Sequence, residues 1–386
     1  MGGADRVNRR LFASLTFRIF LILLFLFPLL GASSPALAQE KDAFWSFLFE
    51  VRKLIEENYA GDMDVYTLEE GAIRGMLESL GDPYTEYLSP RDIKAYRKAL
   101  EQEYIGVGLI FKEEGGNFTI IGVVPSSPAA RQGLRPGGVL VKVDGQAVKG
   151  RTVEEVQGLL QGEVGSEVNL EIACPWEGVP KTFVLKREPL RQQVVRAEVL
   201  DGELGYLSLT SFPSWVPLEV ARALSDFKSQ RVKGIILDLR GNSGGYLQAA
   251  LEVASLFLPP GVPVAQVVNK AGQVEILRSA GPGLDLPVVV LVDEGTASAA
   301  ELLAGALQDV GIAYVVGTRT YGKGSIQSII PLSNGGALKL TTGFYLTPAG
   351  RQIEARGLRP DKEIEGREEQ LRYARKLLLK QERPAA

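Results

Sequence analysis

Residues 288–301 read Val288-Val289-Val290-Leu291-Val292-Asp293-Glu294-Gly295-Thr296-Ala297-Ser298-Ala299-Ala300-Glu301. Five uninterrupted apolar residues read as a strand, and a turn and a helix of small residues follow. The same alternation runs through residues 190–360. Strands are expected at Leu204–Leu209, Gly234–Leu239, Val288–Val292, Tyr314–Gly317 and Ala337–Tyr345. Helices are expected at Pro217–Ser229, Leu247–Phe257 and Ala297–Gln308. That order fits an α/β or α+β core.

Ser298 falls at the strand-to-helix turn. Free backbone N–H groups point outward at a helix N-terminus, and the macrodipole there favours negative charge. Such donors stabilise a tetrahedral oxyanion, and the small Ala neighbours leave room for a substrate backbone. A second reading stands beside this one. Ser-x-x-Glu is also a capping box, with Ser298 as N-cap and Glu301 reaching back.

Two absences narrow the chemistry. The chain has no histidine, which excludes a Ser-His-Asp triad, a Cys-His pair and His-ligated zinc. Its one cysteine, Cys174, allows no intramolecular disulfide and no thiolate metal cluster, and its apolar surroundings point to packing. A serine nucleophile without histidine needs another base, and lysine is the known alternative. Lys323 lies between Gly322 and Gly324 in an apolar region. Flanking glycines mark an unusual backbone or a close approach. To act near neutrality, a lysine must titrate about three pH units below its usual 10.4, a difference of about 4 kcal/mol. Burial supplies a shift in that direction. Gln327 is four residues further on, about 13 Å along an ideal strand, so the chain must bend if the two side chains are to meet.

Gly234 to Gly245 reads as a strand ending in a glycine turn. It is either a tight strand-to-helix connection or a backbone donor for an oxyanion. The Walker ending is missing, which argues against phosphate binding.

Residues 41–101 read as helical. Phe44, Phe47, Leu48, Val51, Leu54 and Ile55 recur at helical spacing, Leu68–Leu80 does the same until Gly81-Asp82-Pro83 stops it, and a third helix is expected over Pro90–Gln102. Residues 103–188 then turn β-rich. Runs at Ile105–Phe111, Phe118–Val124, Val139–Val143, Val168–Ala173 and Thr182–Lys186 are separated by glycine turns, with one helix at Thr152–Gln161. The pattern suggests a small, partly open β-barrel. In Tyr104-Ile105-Gly106-Val107-Gly108-Leu109 two glycines open a strand. Such a loop presents N–H groups to a peptide carboxylate while the strand edge pairs with the peptide, and the helix bearing Val153, Val156 and Leu160 is the expected far wall. A plain entry strand is the other reading.

The first 38 residues have the form of an export signal. Arg6, Arg9, Arg10 and Arg18 precede a 12-residue apolar run, Ile19–Leu30, and Ala36-Leu37-Ala38 fits small-x-small cleavage before Gln39. The run is short against the roughly 20 residues of a spanning helix, although an uncleaved membrane anchor stays open. Without residues 1–38 the chain has 39 basic and 45 acidic residues, a balance that argues against a nucleic-acid partner. Residues 366–381 read as a charged amphipathic helix.

Taken in order, these segments resemble the C-terminal processing peptidases, or tail-specific proteases. Gly81-Asp82-Pro83-Tyr84-Thr85-Glu86-Tyr87-Leu88 matches a family signature. Pro125-Ser126-Ser127-Pro128-Ala129-Ala130 with Gly133-Leu134-Arg135-Pro136-Gly137 resembles the family's PDZ segment, with Gly138 in place of its usual Asp. The resemblance also covers Asp238-Leu239-Arg240-Gly241-Asn242-Ser243-Gly244-Gly245, Thr296–Glu301 and Gly322–Gln327. It implies an α+β multidomain chain: a signal or anchor at 1–38, a helical region at 39–102, a PDZ domain at 103–188, a crotonase-like α/β serine protease core at 189–365 and a helical tail at 366–386. By the same resemblance Ser298 is the nucleophile and Lys323 the base. Gln327 hydrogen-bonds and orients Lys323, and Glu301 is an auxiliary polar group. The oxyanion hole is Ala299 with Gly244 or Gly245, and Tyr104, Ile105, Gly106, Val107, Gly108 and Leu109 bind peptide. The implied substrate is a flexible apolar C-terminal tail of an exported protein. No metal or organic cofactor is implied, and membrane anchoring and homo-oligomerisation stay open. A catalytically silent PDZ scaffold and a crotonase-like thioester enzyme remain as alternatives, the latter disfavoured by the export signal.

Overall fold

The computed structural model describes residues 35–174 and 178–380. The expected export signal lies outside them, apart from its last residues from Pro35. The chain divides after Glu69 into two units. The first contains α1 (Pro35–Asn58). The helical spacing of its apolar residues is realised, but Phe44, Trp45, Phe47 and Leu54 are exposed. No helix among the described residues is long and apolar enough to cross a membrane. Helix α2 (Val65–Glu78) runs through the division and stops before Gly81.

The second unit continues with β1 (Glu86–Leu88) and α3 (Pro90–Leu100). Ser89 caps α3 in a complete box with Asp92, and Pro90 occupies the first turn, where no N–H is needed.

A β-rich module follows. Its strands are β2 (Glu103–Gly106), β3 (Leu109–Glu114), β4 (Asn117–Val123), β5 (Val139–Val143), β6 (Gln146–Ala147), β7 (Glu167–Ala173), β8 (Lys181–Lys186) and β9 (Glu188–Arg191); its helices are α4 (Pro128–Arg131) and α5 (Val153–Leu160). Strands β3-β4-β5-β7-β8 form an antiparallel sheet with β6 added to β5, while β2 pairs with β9 as a separate ribbon. The expected strand Ile105–Phe111 is broken. Between its halves Gly108 has φ +85°, and a Cβ there would lie 2.2 Å from that of Ser127. Phe118, Leu140, Val156, Leu170 and Leu185 fill the core, with Cys174 at its edge. Arg187 closes the end of α5, donating to the Leu159 and Leu160 carbonyls.

Strands β10 (Val195–Leu200), β11 (Leu204–Leu209), β12 (Gly234–Asp238), β15 (Val288–Val292), β16 (Ala313–Gly317) and β19 (Lys362–Glu363) form the main sheet in that order. Only the β10/β11 pair is antiparallel. Both faces are covered, which explains the uninterrupted apolar runs. Ile235, Leu237, Val288, Val290 and Val292 pack with α6 (Val216–Ser229), α7 (Leu247–Phe257) and α8 (Ala299–Asp309). The alternate residues Ile236, Val289 and Leu291 meet Ala374 and Leu378 of α9 (Arg367–Lys380) on the other face. Thus the charged C-terminal helix is a structural layer. A second sheet joins β1, β18 (Ala337–Leu346), β13 (Pro263–Asn269) and β14 (Val274–Arg278), with β17 (Ser325–Pro331) also on β18.

At the end of β12, Asp238 and Arg240 are 2% and 7% exposed and form an ion pair. Tyr206 donates to Asp238 at 2.6 Å, and Arg240 donates to the Arg367 carbonyl and Gln370 on α9. Burial pushes the Asp238 carboxyl up, but bonds from Arg240 and Tyr206 outweigh it and hold it below its usual 3.8. This contribution to stability is present above the unfolded value and is lost as pH falls through the folded one. Asp238→Asn leaves Arg240 buried without its counter-charge, so urea unfolding at pH 7 is expected to show a loss of about 3–5 kcal/mol. The variant should also lack part of the parent's loss of stability below about pH 4.

Candidate active site

Ser298 stands between β15 and α8, on a turn tied down on both sides. Asp293 Oδ1 accepts the N–H groups of Gly241 and Gly295 at 2.7 and 3.1 Å. Thr296 Oγ1 donates to the Leu239 carbonyl, and the Ala297 N–H reaches the Asn242 carbonyl at 2.8 Å. Ser298 has φ +55°, a strained value for a residue with a Cβ. Its N–H goes to Glu301 at 2.8 Å, while its hydroxyl makes no cap hydrogen bond. The capping reading therefore holds for the Glu301 carboxylate, and Ser298 itself is half-buried.

Glu301 is completely buried. One of its oxygens accepts the Ser298 and Lys323 N–H groups, at 2.8 and 2.9 Å. The other accepts the Gly322 N–H at 2.8 Å and the Thr320 hydroxyl. Thr320 Oγ1 in turn accepts the Leu358 N–H, which commits its proton to Glu301. Burial raises the Glu301 carboxyl above its ordinary value, against the pull of these four donors. Tyr345 completes the arrangement. Its hydroxyl lies 2.6 Å from the carbonyl oxygens of both Ser298 and Lys323. Burial, then the charges of Glu301 and Glu354, hold this phenol well above its usual range, so it stays a donor.

The glycines beside Lys323 permit close approach. A Cβ on Gly322 would lie 2.8 Å from the Gly357 nitrogen, and one on Gly324 would lie 2.6 Å from the Glu354 nitrogen. Lys323 is half-buried. Burial lowers its pKa and Lys339 acts the same way, against Glu354 and Asp82. Its Nζ lies 4.2 Å from the Tyr84 ring centroid and makes no hydrogen bond to the Ser298 hydroxyl.

Gln327 differs from expectation. Its side-chain nitrogen donates to Ser325 and Thr341 at 3.1 and 3.3 Å, and no hydrogen bond joins it to Lys323. A bulge between Ile326 and Gln327 shifts the strand register here.

The two glycines after β12 separate in role. Gly244, at φ +100°, would place a Cβ 2.9 Å from that of Ser298 and 3.2 Å from the Ala299 nitrogen. Its N–H is already given to Asn242 Oδ1 at 2.9 Å. The N–H groups of Gly245 and Ala299 make no hydrogen bond among the described residues. Gly245, at φ +149°, lies against the Phe212 backbone, where a Cβ would meet the carbonyl oxygen at 2.5 Å.

One cleft lies beside the Lys323 segment and a second lies in the β-rich module. The first, of 770 Å³, is lined by Asp82, Tyr84, Tyr321, Gly322, Thr341 and Glu354 among others. The second, of 880 Å³, is lined by five of the six expected peptide-binding residues, Tyr104, Gly106, Val107, Gly108 and Leu109, but not Ile105. Of the expected far wall only Leu160 lines it, joined by Gln157, while Val156 is fully buried in the module's core and Val153 packs against that core. Trp215 and Glu219, from the start of α6, also line it. Tyr84, Thr320 and Tyr345 went unassigned in the sequence. Tyr84 lies inside the Gly81–Leu88 motif, which was the available signal, whereas nothing local marks Thr320 or Tyr345.

The model of peptidase family S41 matches residues 203–364, a PDZ-domain model matches 119–173, and that of the activating protease CtpB N-terminal domain matches 34–91. Carboxy-terminal processing protease CtpA of Bacillus subtilis is 32% identical over 329 residues, covering 85% of this chain and 70% of the relative. A carboxy-terminal-processing protease of Bartonella bacilliformis is 34% identical over 326 residues, covering 82% and 74%. Among solved structures, a photosystem II D1 C-terminal processing protease is 33% identical, with a TM-score of 0.51 over 82% of this chain and 86% of that one. The chain belongs to the carboxy-terminal processing proteases of peptidase family S41, serine-type peptidases, and carries a PDZ domain.

Proposed function

We propose that Ser298 is the nucleophile and Lys323 the general base of a peptidase that cuts exported proteins at or near flexible apolar C-terminal tails. The observation that carries this reading is the shared anchorage of the two residues. A single Glu301 oxygen accepts both their N–H groups, and one Tyr345 hydroxyl meets both their carbonyls. In a chain without histidine, this brings a strained serine beside a lysine whose pKa burial lowers.

Neutral Lys323 takes the Ser298 proton as the hydroxyl oxygen bonds to the substrate carbonyl carbon. The N–H groups of Ala299 and Gly245 hold the oxyanion, the choice of Gly245 following from the engagement of Gly244 by Asn242. The lysine returns its proton to the leaving amine, and water then hydrolyses the acyl-enzyme. Activity rises with pH through the Lys323 pKa, because only the neutral amine is a base. Gln327 supports β18 through Thr341 in this structure; orienting Lys323 would need its side chain to turn.

The PDZ module, placed at residues 103–188, captures the tail in the cleft beside Gly106–Leu109. Pairing of β2 with β9 supports a boundary near residue 188, although β9 continues to Arg191. The cleft's wall at Trp215 supports direct passage of a captured tail to the core at 189–365. The helix-covered main sheet agrees with a crotonase-like core. The basic start and apolar run of residues 1–38 support export.

Residues 39–386, incubated with an unfolded reporter bearing an apolar C-terminal tail, should give tail-dependent fragments by intact mass. Ser298→Ala should abolish them, and Lys323→Ala should slow them by about 10²–10⁴-fold. Equal cleavage by Ser298→Ala would remove the assignment. Glu301→Gln replaces one acceptor oxygen with an NH₂ that faces N–H donors. A loss of about 1–3 kcal/mol in thermal or urea unfolding is expected, with a fall in kcat exceeding any change in KM. Wild-type kcat in the folded variant would contradict the positioning role.

A further inference from the structure

Lys323 does not rest on Ser298. Its Nζ lies over the Tyr84 ring at 4.2 Å from the centroid, and the amine makes no hydrogen bond among the described residues. Tyr84 is held in place by its own motif. Its N–H goes to Asp82 Oδ1 at 3.0 Å, and the Thr85 hydroxyl goes to Asp82 Oδ2 at 2.6 Å. Burial and then the Tyr321 hydroxyl push the Tyr84 phenol up to about 12, so the ring stays undissociated at working pH. Tyr84 also forms part of the wall of the 770 Å³ cleft beside Gly322.

The face of an aromatic ring attracts an ammonium through its quadrupole and has no comparable attraction for a neutral amine. A lysine held on that face is stabilised in the protonated form, which cannot take the serine proton. We infer that Tyr84 is a positioning residue whose ring holds the Lys323 ammonium off Ser298 in the resting enzyme. The proposal rests on Lys323 being the base. The charged groups acting on the amine are Lys339, which opposes its protonation, and Glu354 and Asp82, which favour it; Tyr321 faces the ring itself. Removing the ring takes away one of the groups that favour the ammonium, and the amine then deprotonates at lower pH.

The test is the rate at which a small fluorophosphonate phosphonylates residues 39–386 between pH 6 and 10, the serine oxygen bonding to phosphorus as fluoride leaves, followed by intact mass with Ser298→Ala as the blank. Tyr84→Leu is expected to move the midpoint of the pH–rate profile down by about half to one pH unit, giving roughly three- to tenfold faster phosphonylation at neutral pH. Tyr84→Phe keeps the ring and should restore the parental midpoint. Thermal unfolding checks each variant, and Tyr84→Met takes the place of Tyr84→Leu if the latter does not fold. A parental midpoint in a folded ring-less variant, at any rate, overturns the proposal. So does an upward shift. A parent that is not phosphonylated, or phosphonylation of Ser298→Ala at the parental rate, instead overturns the underlying Ser298–Lys323 assignment and the inference with it.

Discussion

A fully buried carboxylate with four donors around it fixes the geometry of this site. Glu301 projects from the first turn of α8, where the helix N-terminus favours negative charge. It reaches back to Ser298 and across to Thr320, Gly322 and Lys323. The two residues assigned to the reaction are 25 positions apart in the chain, yet their backbones meet at one oxygen atom. Tyr345 repeats the link on the carbonyl side. Displacing either segment would strand a buried donor or acceptor, which costs more than an ordinary hydrogen bond contributes.

The main sheet brings that carboxylate to its place. Strands β12 and β15 are parallel neighbours, so the turns after them emerge side by side. One carries Gly244 and Gly245, the other Ser298. Asp293 and Thr296 join the turns, and the lack of side chains on the glycines lets the backbones approach. The strained Ser298 conformation is held from both sides by these bonds. Strain of this kind persists where the surroundings over-determine it. The second sheet supplies Tyr345 from β18, and Lys323 comes from the loop that leads into β17.

Much of the core was legible in the sequence. Val288–Val292 and Gly234–Asp238 are buried on both faces, and such strands advertise themselves as unbroken apolar runs. Helix α5 carries its capping box in Thr152 and Glu155. The β13/β14 hairpin was not legible. Gln266, Asn269, Gln273 and Glu275 dilute its apolar pattern, and much of β14 is exposed. In the site, Ser298, Glu301 and Lys323 could be singled out because unusual neighbours surround them in sequence. Tyr345 looks like any strand tyrosine until the fold brings it to two carbonyls. The contact of Tyr84 with Lys323 and the bulge that sets Gln327 against Thr341 are likewise products of tertiary packing, without a local signature.

The proposed role of the Lys323 amine as base can be probed by changing its basicity while leaving it in place. In a Cys174→Ala background, Lys323→Cys provides one thiol for aminoethylation. This yields a side chain of nearly lysine length with a less basic amine. If Lys323 is the base, Lys323→Cys alone is not acylated by a serine-directed probe, aminoethylation restores acylation at Ser298, and the restored pH–rate profile lies below that of the parent. Restoration with an unmoved profile would mean that another group takes the serine proton, and acylation of Lys323→Cys at the parental rate before aminoethylation would rule out Lys323 as the base.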